Sequence, residues 1–257
     1  MKELLFNPGM DMEWQQDRPD GHTVYYIDKN GMMHTKEKGN FFNPPGWCGT
    51  YNWVPGKWDE PEGKLLFGHQ YPDRNIHEDE NHLAACCFTF FRKHDAGYIQ
   101  KESGVDVGTR LRLTAYAHAW SSKEDDPAFS TGVGNAKIAI RAHMTPWQWN
   151  VKPPGSLPYD TGDENTDAIP NFVFWIGIDP TGGNNINSPN IMWSESWHIY
   201  NDYVQQLEVE AVAERSIVTV FLRSKTRWPF KHNDAYWDDC SLVAVESPEP
   251  PPPPLPT

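Results

Sequence analysis

Thr109-Arg110-Leu111-Arg112-Leu113-Thr114-Ala115-Tyr116-Ala117-His118-Ala119-Trp120 alternates without a break. Leu111, Leu113, Ala115, Ala117 and Ala119 fall on one face. Arg110, Arg112, Thr114, Tyr116, His118 and Trp120 fall on the other. A period of two residues is that of a strand with one face on a core, and no helix tolerates it. The same pattern recurs on both sides. Ala136, Ile138, Ile140 and Ala142 alternate with polar or small neighbours, as do Leu207, Val209, Ala211 and Ala213. Ser216–Leu222 is rich in β-branched residues. Thr23–Asp28, Lys64–His69, Leu83–Phe91, Phe172–Ile178 and Ala235–Val245 read as further strands. Asp28-Lys29-Asn30-Gly31 reads as a hairpin turn. No segment has the period of a long amphipathic helix. Many strands separated by Gly, Pro, Asn and Asp predict an all-β fold, an antiparallel β-sandwich.

The sandwich is expected to fill residues 1–246, followed by a proline-rich tail, 247–257, with the sequence SPEPPPPPLPT. Such a tail favours polyproline II and acts as a linker, so an additional domain beyond it is expected. Two long stretches, Asn40–Glu62 and Thr145–Pro170, break the strand pattern and are expected to be irregular. Both are rich in Trp, Pro and Gly, and loops of that length are usually functional or disordered.

The chain has 257 residues, with 35 acidic and 22 basic side chains and a net charge of −13. That balance excludes a general nucleic-acid binder, which needs a basic surface to displace counterions. No apolar run reaches membrane-spanning length, so no membrane insertion is expected. No signal peptide is visible, although the module reads as extracellular or cell-surface. Cys48, Cys86, Cys87 and Cys240 show no metal spacing. Cys86 and Cys87 point to opposite sides of a strand, and the four read mainly as buried apolar residues.

Twelve Trp, 12 Phe and 10 Tyr are many for an acidic chain, and some are expected on the surface. Sugar rings pack their C–H faces on aromatic side chains while their hydroxyls take planar donors and acceptors. The candidate contacts are Trp47, Trp53 and Trp58 in the first long stretch and Trp147 and Trp149 in the second. Arg112, Tyr116, His118 and Trp120 stand on the outward face of the decisive strand, and Arg141 could extend it. Acid runs such as Asp59/Glu60/Glu62 read as solvated, and no nucleophile, zinc or phosphate-loop motif occurs.

Two motifs bracket the globular part: Asn7-Pro8-Gly9-Met10-Asp11 and Trp237-Asp238-Asp239-Cys240-Ser241-Leu242. If the first and last strands are neighbours, Asp11 and Asp238 could share a hard cation, and calcium prefers such oxygens. These residues resemble the jelly-roll carbohydrate-binding modules of the family 4/9 and family 22 type. Those modules begin with Asn-x-x-Phe-Glu and end with Ile-Asp-Asp-Val-x-Leu. Ala96-Gly97-Tyr98-Ile99-Gln100 and Val105-Asp106-Val107-Gly108-Thr109 are similar to their central stretch. The resemblance implies a calcium-stabilised, non-catalytic module that tethers a partner domain to a polysaccharide or glycan. Met10 and Asp11 stand where the family has Phe and Glu, and the family's sugar contacts do not transfer residue by residue. Two other readings stay open: a glycan-cleaving enzyme built on a sandwich, and a structural or adhesion domain of a surface or phage assembly.

Overall fold

The computed structural model describes residues 2–10, 12, 21–54, 60–67, 83–122, 139–141, 171–199 and 204–246, with only the backbone for 67, 122, 139–141, 198–199 and 204. Fourteen strands are seen among them. They are β1 (Thr23–Ile27), β2 (Met33–Glu37), β3 (Cys48–Asn52), β4 (Glu62–Phe67), β5 (Leu83–Thr89), β6 (Asp95–Ser103) and β7 (Arg110–Ser122). They continue with β8 (Ala139–Arg141), β9 (Phe172–Asp179), β10 (Met192–Trp193), β11 (Trp197–Ile199), β12 (Val204–Val212), β13 (Ile217–Thr226) and β14 (His232–Ala244).

The strands form two sheets, antiparallel except where β1 runs parallel to β3. The larger sheet is ordered β2-β1-β3-β6-β13-β9-β11-β8, with β10 also on β9. The smaller is ordered β12-β7-β14-β5-β4. This is the antiparallel sandwich expected from the alternation, with no helix among the described residues. The Asp28–Gly31 turn forms as expected: Gly31 donates its N–H to the Asp28 carbonyl at 3.0 Å with φ at +81°.

The core lies between the sheets. Leu111, Leu113, Ala115, Ala117 and Ala119 of β7 face Phe172, Phe174, Ile176 and Ile178 of β9 and Val218, Val220 and Leu222 of β13. Three alanines on β7 leave room for bulk opposite them. Trp237 of β14 meets Phe174 edge-on, with ring centroids 5.1 Å apart. Close packing of this kind sets the sheet spacing.

One expectation is corrected. Asn40–Glu62 is not irregular throughout: Cys48–Asn52 is β3, an interior strand between β1 and β6. The second long stretch and the tail lie outside the described residues.

The first described residues lie against β14. Leu4 donates its N–H to the Leu242 carbonyl at 2.9 Å, and Glu3 bridges Val243 antiparallel. Cys240 donates its N–H to the Pro8 carbonyl at 2.9 Å. The N-terminal segment, which is none of the fourteen strands, thus lies against β14, whereas the first strand, β1, is in the other sheet.

Candidate functional site

The outward residues of the smaller sheet form rows that cross its strands. Tyr116 on β7 stands in register between Gln206 of β12 and Asp238 of β14. In the next row His118 is opposite Tyr236, Tyr236 is opposite Cys86, and Cys86 is opposite Lys64. In the third, Trp120 is opposite Asp234, Asp234 is opposite Phe88, and Phe88 is opposite Glu62. Residues directly opposite across antiparallel strands share one face and touch. The His118 and Tyr236 rings lie 5.5 Å apart, and the Lys64 ammonium sits 4.6 Å over the Phe88 ring. Tyr236 donates its hydroxyl to Asp234 Oδ2 at 3.4 Å.

A bulge aims this face. Between the pairs Asp238–Tyr116 and Ser241–Thr114, β14 carries one extra residue, and Asp239 takes φ +45°. Asp238 Oδ1 accepts the Asp239 N–H at 2.7 Å, which holds the bulge. The bulge keeps Cys240 and Leu242 in the core after Asp238 has pointed outward.

The face is open at one end and closed at the other. Gln206 is exposed, and Arg112, Thr114 and Tyr116 are half-buried. His118, Trp120, Asp234, Tyr236 and Asp238 are buried. Two expected contacts are thus corrected: His118 and Trp120 lie on the outward face but do not face solvent. They join Leu66, Cys86, Phe88 and Tyr236 in or beside a second apolar cluster, where a sugar would find no free ring face. Arg112 is engaged along the sheet edge. Its guanidinium holds Glu210 at 3.0 Å, and Arg110 holds the same carboxylate at 2.8 Å. Hydrogen bonds from Arg110 and then Arg112 keep the Glu210 carboxyl below the usual carboxylate range.

The other expected residues separate from this face. Trp47 is fully buried in the main core and donates its indole N–H to the Asn7 carbonyl at 3.3 Å. Its expected sugar-binding role is corrected for that reason. Trp53 is exposed, but it follows β3 in the larger sheet and bonds its N–H to Ile27. Arg141 is in β8, at the edge of the larger sheet, so its strand does not extend the Tyr116 face. Trp58, Trp147, Trp149 and Asp11 lie outside the described residues. Among the described residues no group of three or more His, Cys, Asp or Glu side chains converges as a metal centre. None of the four cysteines is in a disulfide, and Cys86 and Cys87 face the outer cluster and the core respectively.

Sequence reading missed Tyr236, Asp234, Lys64 and Gln206 as partners of Tyr116 and His118. Each alternates correctly on its own strand, but only the sheet order brings β4, β12 and β14 beside β7.

No family model and no curated protein sequence matches the chain. Solved structures with a similar course of the chain include a family 61 carbohydrate-binding module in complex with β-1,4-galactotriose. That match has 10% identity and a TM-score of 0.46, and covers 95% of this chain and 100% of that one. A family 22 xylan-binding domain from Paenibacillus barcinonensis is 9% identical with a TM-score of 0.39, over 79% of this chain and 94% of that one. The enzymatically active domain of tailspike protein 4 from bacteriophage CBA120 is 7% identical with a TM-score of 0.41, over 80% of this chain and 20% of that one. Several of the structures similar to this chain are thus carbohydrate-binding modules, at identities that say nothing about its own ligand.

Proposed function

We propose that this chain is a non-catalytic carbohydrate-binding module that holds a polysaccharide along the open end of the smaller sheet. One observation supports the reading above others. The half-buried Tyr116 ring is flanked in register by an exposed amide, Gln206, and by the buried carboxylate Asp238. A ring beside fixed planar acceptors is the chemistry that recognises a pyranose. In this reading the proline-rich tail joins the module to a further domain outside the cell. Calcium between Asp11 and Asp238 belongs to the same proposal. Its supporting observation is that the Asn7–Met10 turn lies against β14, with Pro8 accepting from Cys240.

The test is affinity electrophoresis of the intact chain on a panel of polysaccharides, with calcium present. Retention by at least one neutral polysaccharide is expected, and Tyr116→Ala should lose most of it. Retention that survives Tyr116→Ala together with Gln206→Ala would place the ligand elsewhere.

A second reading, glycan cleavage, is favoured by one pair. Glu62 and Asp234 flank Phe88 in one row, two strands apart. Two strand spacings are about 9.5 Å, near the upper limit for an inverting pair of carboxylates. Reducing ends released by the protein, and abolished in Asp234→Asn, would convert the first reading into the second.

A further inference from the structure

At the end of β9 lie buried side-chain oxygens with no hydrogen-bond partner among the described residues. Asp179 is fully buried. Its Oδ1 accepts the Thr181 N–H at 2.8 Å and the Thr181 hydroxyl at 2.6 Å. Its Oδ2 meets no donor among the described residues. Directly opposite on β13, Thr219 is also fully buried, and its Oγ1 has no partner among the described residues. The turn then brings back Asn184, whose Oδ1 is buried in the same condition. Gly183 permits the approach, since a Cβ there would lie 2.7 Å from Asp179 Oδ2.

Buried oxygens without a hydrogen-bond partner are costly, and a buried carboxylate oxygen most of all. The buried cations on this face of the sheet do not relieve it. Arg223 and Lys225 stand further along β13 and bind Asp95 at 2.9 and 3.1 Å. Lys101, the register neighbour of Thr219 on β6, is exposed. A buried carboxylate oxygen, a buried hydroxyl in register with it on β13 and a buried amide oxygen in the turn that follows are the donor types of a hard cation, not of zinc or copper.

We propose that Asp179, Asn184 and Thr219 form a calcium site, separate from the terminal motifs and independent of the glycan reading. Calcium takes six to eight oxygens, so waters or backbone carbonyls complete the shell. One carboxylate places the affinity at the weak end, a Kd on the order of 10⁻⁴ to 10⁻³ M. Binding would pin the start of the segment Pro180–Ser194. That segment lays Ile186, Ile191 and Trp193 over Ile27, Ile99 and Phe221 on the outer face of the larger sheet. The site's charge is one carboxylate, so it does not read as an acidic cluster; its ligand character comes from the neutral oxygens beside it.

The test uses the intact chain stripped of metal with a chelator. Terbium replaces calcium at oxygen sites, and Trp193, in register with Gly177 two residues before Asp179, is placed to sensitise its emission. Saturable terbium emission displaced by calcium is expected, together with a calorimetric calcium titration in the same range. Thr219→Val, which keeps the side-chain shape, should weaken binding about tenfold, and Asp179→Asn about a hundredfold or more. Asp238→Asn should leave this signal in place. The proposal is overturned if the wild-type protein binds no calcium up to about 10 mM. It is also overturned if Thr219→Val titrates like wild type, or if the signal vanishes in Asp238→Asn alone. Should Asp179→Asn fail to fold, Thr219→Val decides the matter.

Discussion

Replacing Asp95 with Asn should cost the fold a large fraction of its stability. Asp95 is almost wholly buried at the start of β6. It accepts Arg223 Nε at 2.9 Å, Arg223 Nη2 at 3.0 Å, Lys225 Nζ at 3.1 Å and Asn52 Nδ2 at 2.8 Å. Burial pushes the Asp95 carboxyl up, but the charges of Arg223 and Lys225 and the hydrogen bonds from Arg223 and Asn52 together hold it below the usual carboxylate range. The Asn side chain has the same shape but no charge. It leaves two buried cations facing a dipole, and it offers Arg223 an NH₂ where an acceptor stood.

Breaking a buried ion pair from one side typically costs about 3–5 kcal/mol. Domains of this size are stable by roughly 5–15 kcal/mol, so the variant should lose about a fifth of its stability or more. In temperature the loss corresponds to roughly 6–20 °C in Tm. Urea unfolding followed by Trp fluorescence reads the difference directly. The opposite substitution sharpens the test. Lys225→Met removes a desolvated cation while Arg223 still neutralises Asp95, so it should be close to neutral or stabilising at pH 7. A pH series adds a third arm. Burial lowers the Lys225 ammonium to about 8 from 10.5. Between those values the unfolded chain holds more protons than the folded one, so stability should rise with pH across that window. Lys225→Met should remove the rise. A loss below about 1 kcal/mol in Asp95→Asn, the size of an exposed pair, would refute the argument that this cluster is a desolvated ion network.

Two further outcomes follow from single positions. Gly97→Ala should abolish or nearly abolish soluble folding, because the added Cβ would sit 1.8 Å from the Leu222 carbonyl oxygen, where β6 meets β13; soluble expression and circular dichroism check this. His94 is buried, and desolvation lowers its imidazole to about 4 from 6.5, so the folded state resists protonation. Stability should therefore fall as pH drops from about 6.5 to about 4, by up to roughly 3 kcal/mol, and urea midpoints across that range measure it.

Strands that bury one face were legible. β7 and β12 alternate cleanly, and the structure places their apolar sets in the core. β13 and β14 were found by β-branched and aromatic content. β3 was not, because Cys48-Gly49-Thr50-Tyr51-Asn52 carries a glycine and no clear alternation. The glycine is there for packing. A Cβ on Gly49 would lie 2.4 Å from the Phe41 ring, which occupies the space a side chain would fill. Gly97 in β6 has the same origin, with the Leu222 carbonyl as its neighbour. A glycine that admits another group reads locally as a break, and only the partner's position shows it to be a requirement.

The candidate site was legible in a narrower sense. Alternation identifies which face of a strand meets the core; it does not identify which face meets water. Trp47, between Gly46 and Cys48, reads as part of a surface loop, yet its indole N–H reaches Asn7 from inside the sandwich. His118 and Trp120 were correctly placed opposite the core-facing alanines, and they are buried all the same. The Asp95–Arg223 pair shows the cause on the other sheet. Its partners are 128 residues apart, and each occupies an outward position. They are desolvated because Ile186 and Asn187 fold over that face, where the Ile186 carbonyl accepts from Arg223 at 3.0 Å. A polar residue on the outward side of a sandwich therefore has two fates, set by a segment distant in sequence. Under a covering segment it becomes part of a buried network and contributes specificity of fold. Left open, as at Tyr116 and Gln206, it keeps the half-exposed ring and amide that a ligand can use. It follows that the residues to test for binding are the outward ones that stay open, and that substituting the buried ones reports on stability instead.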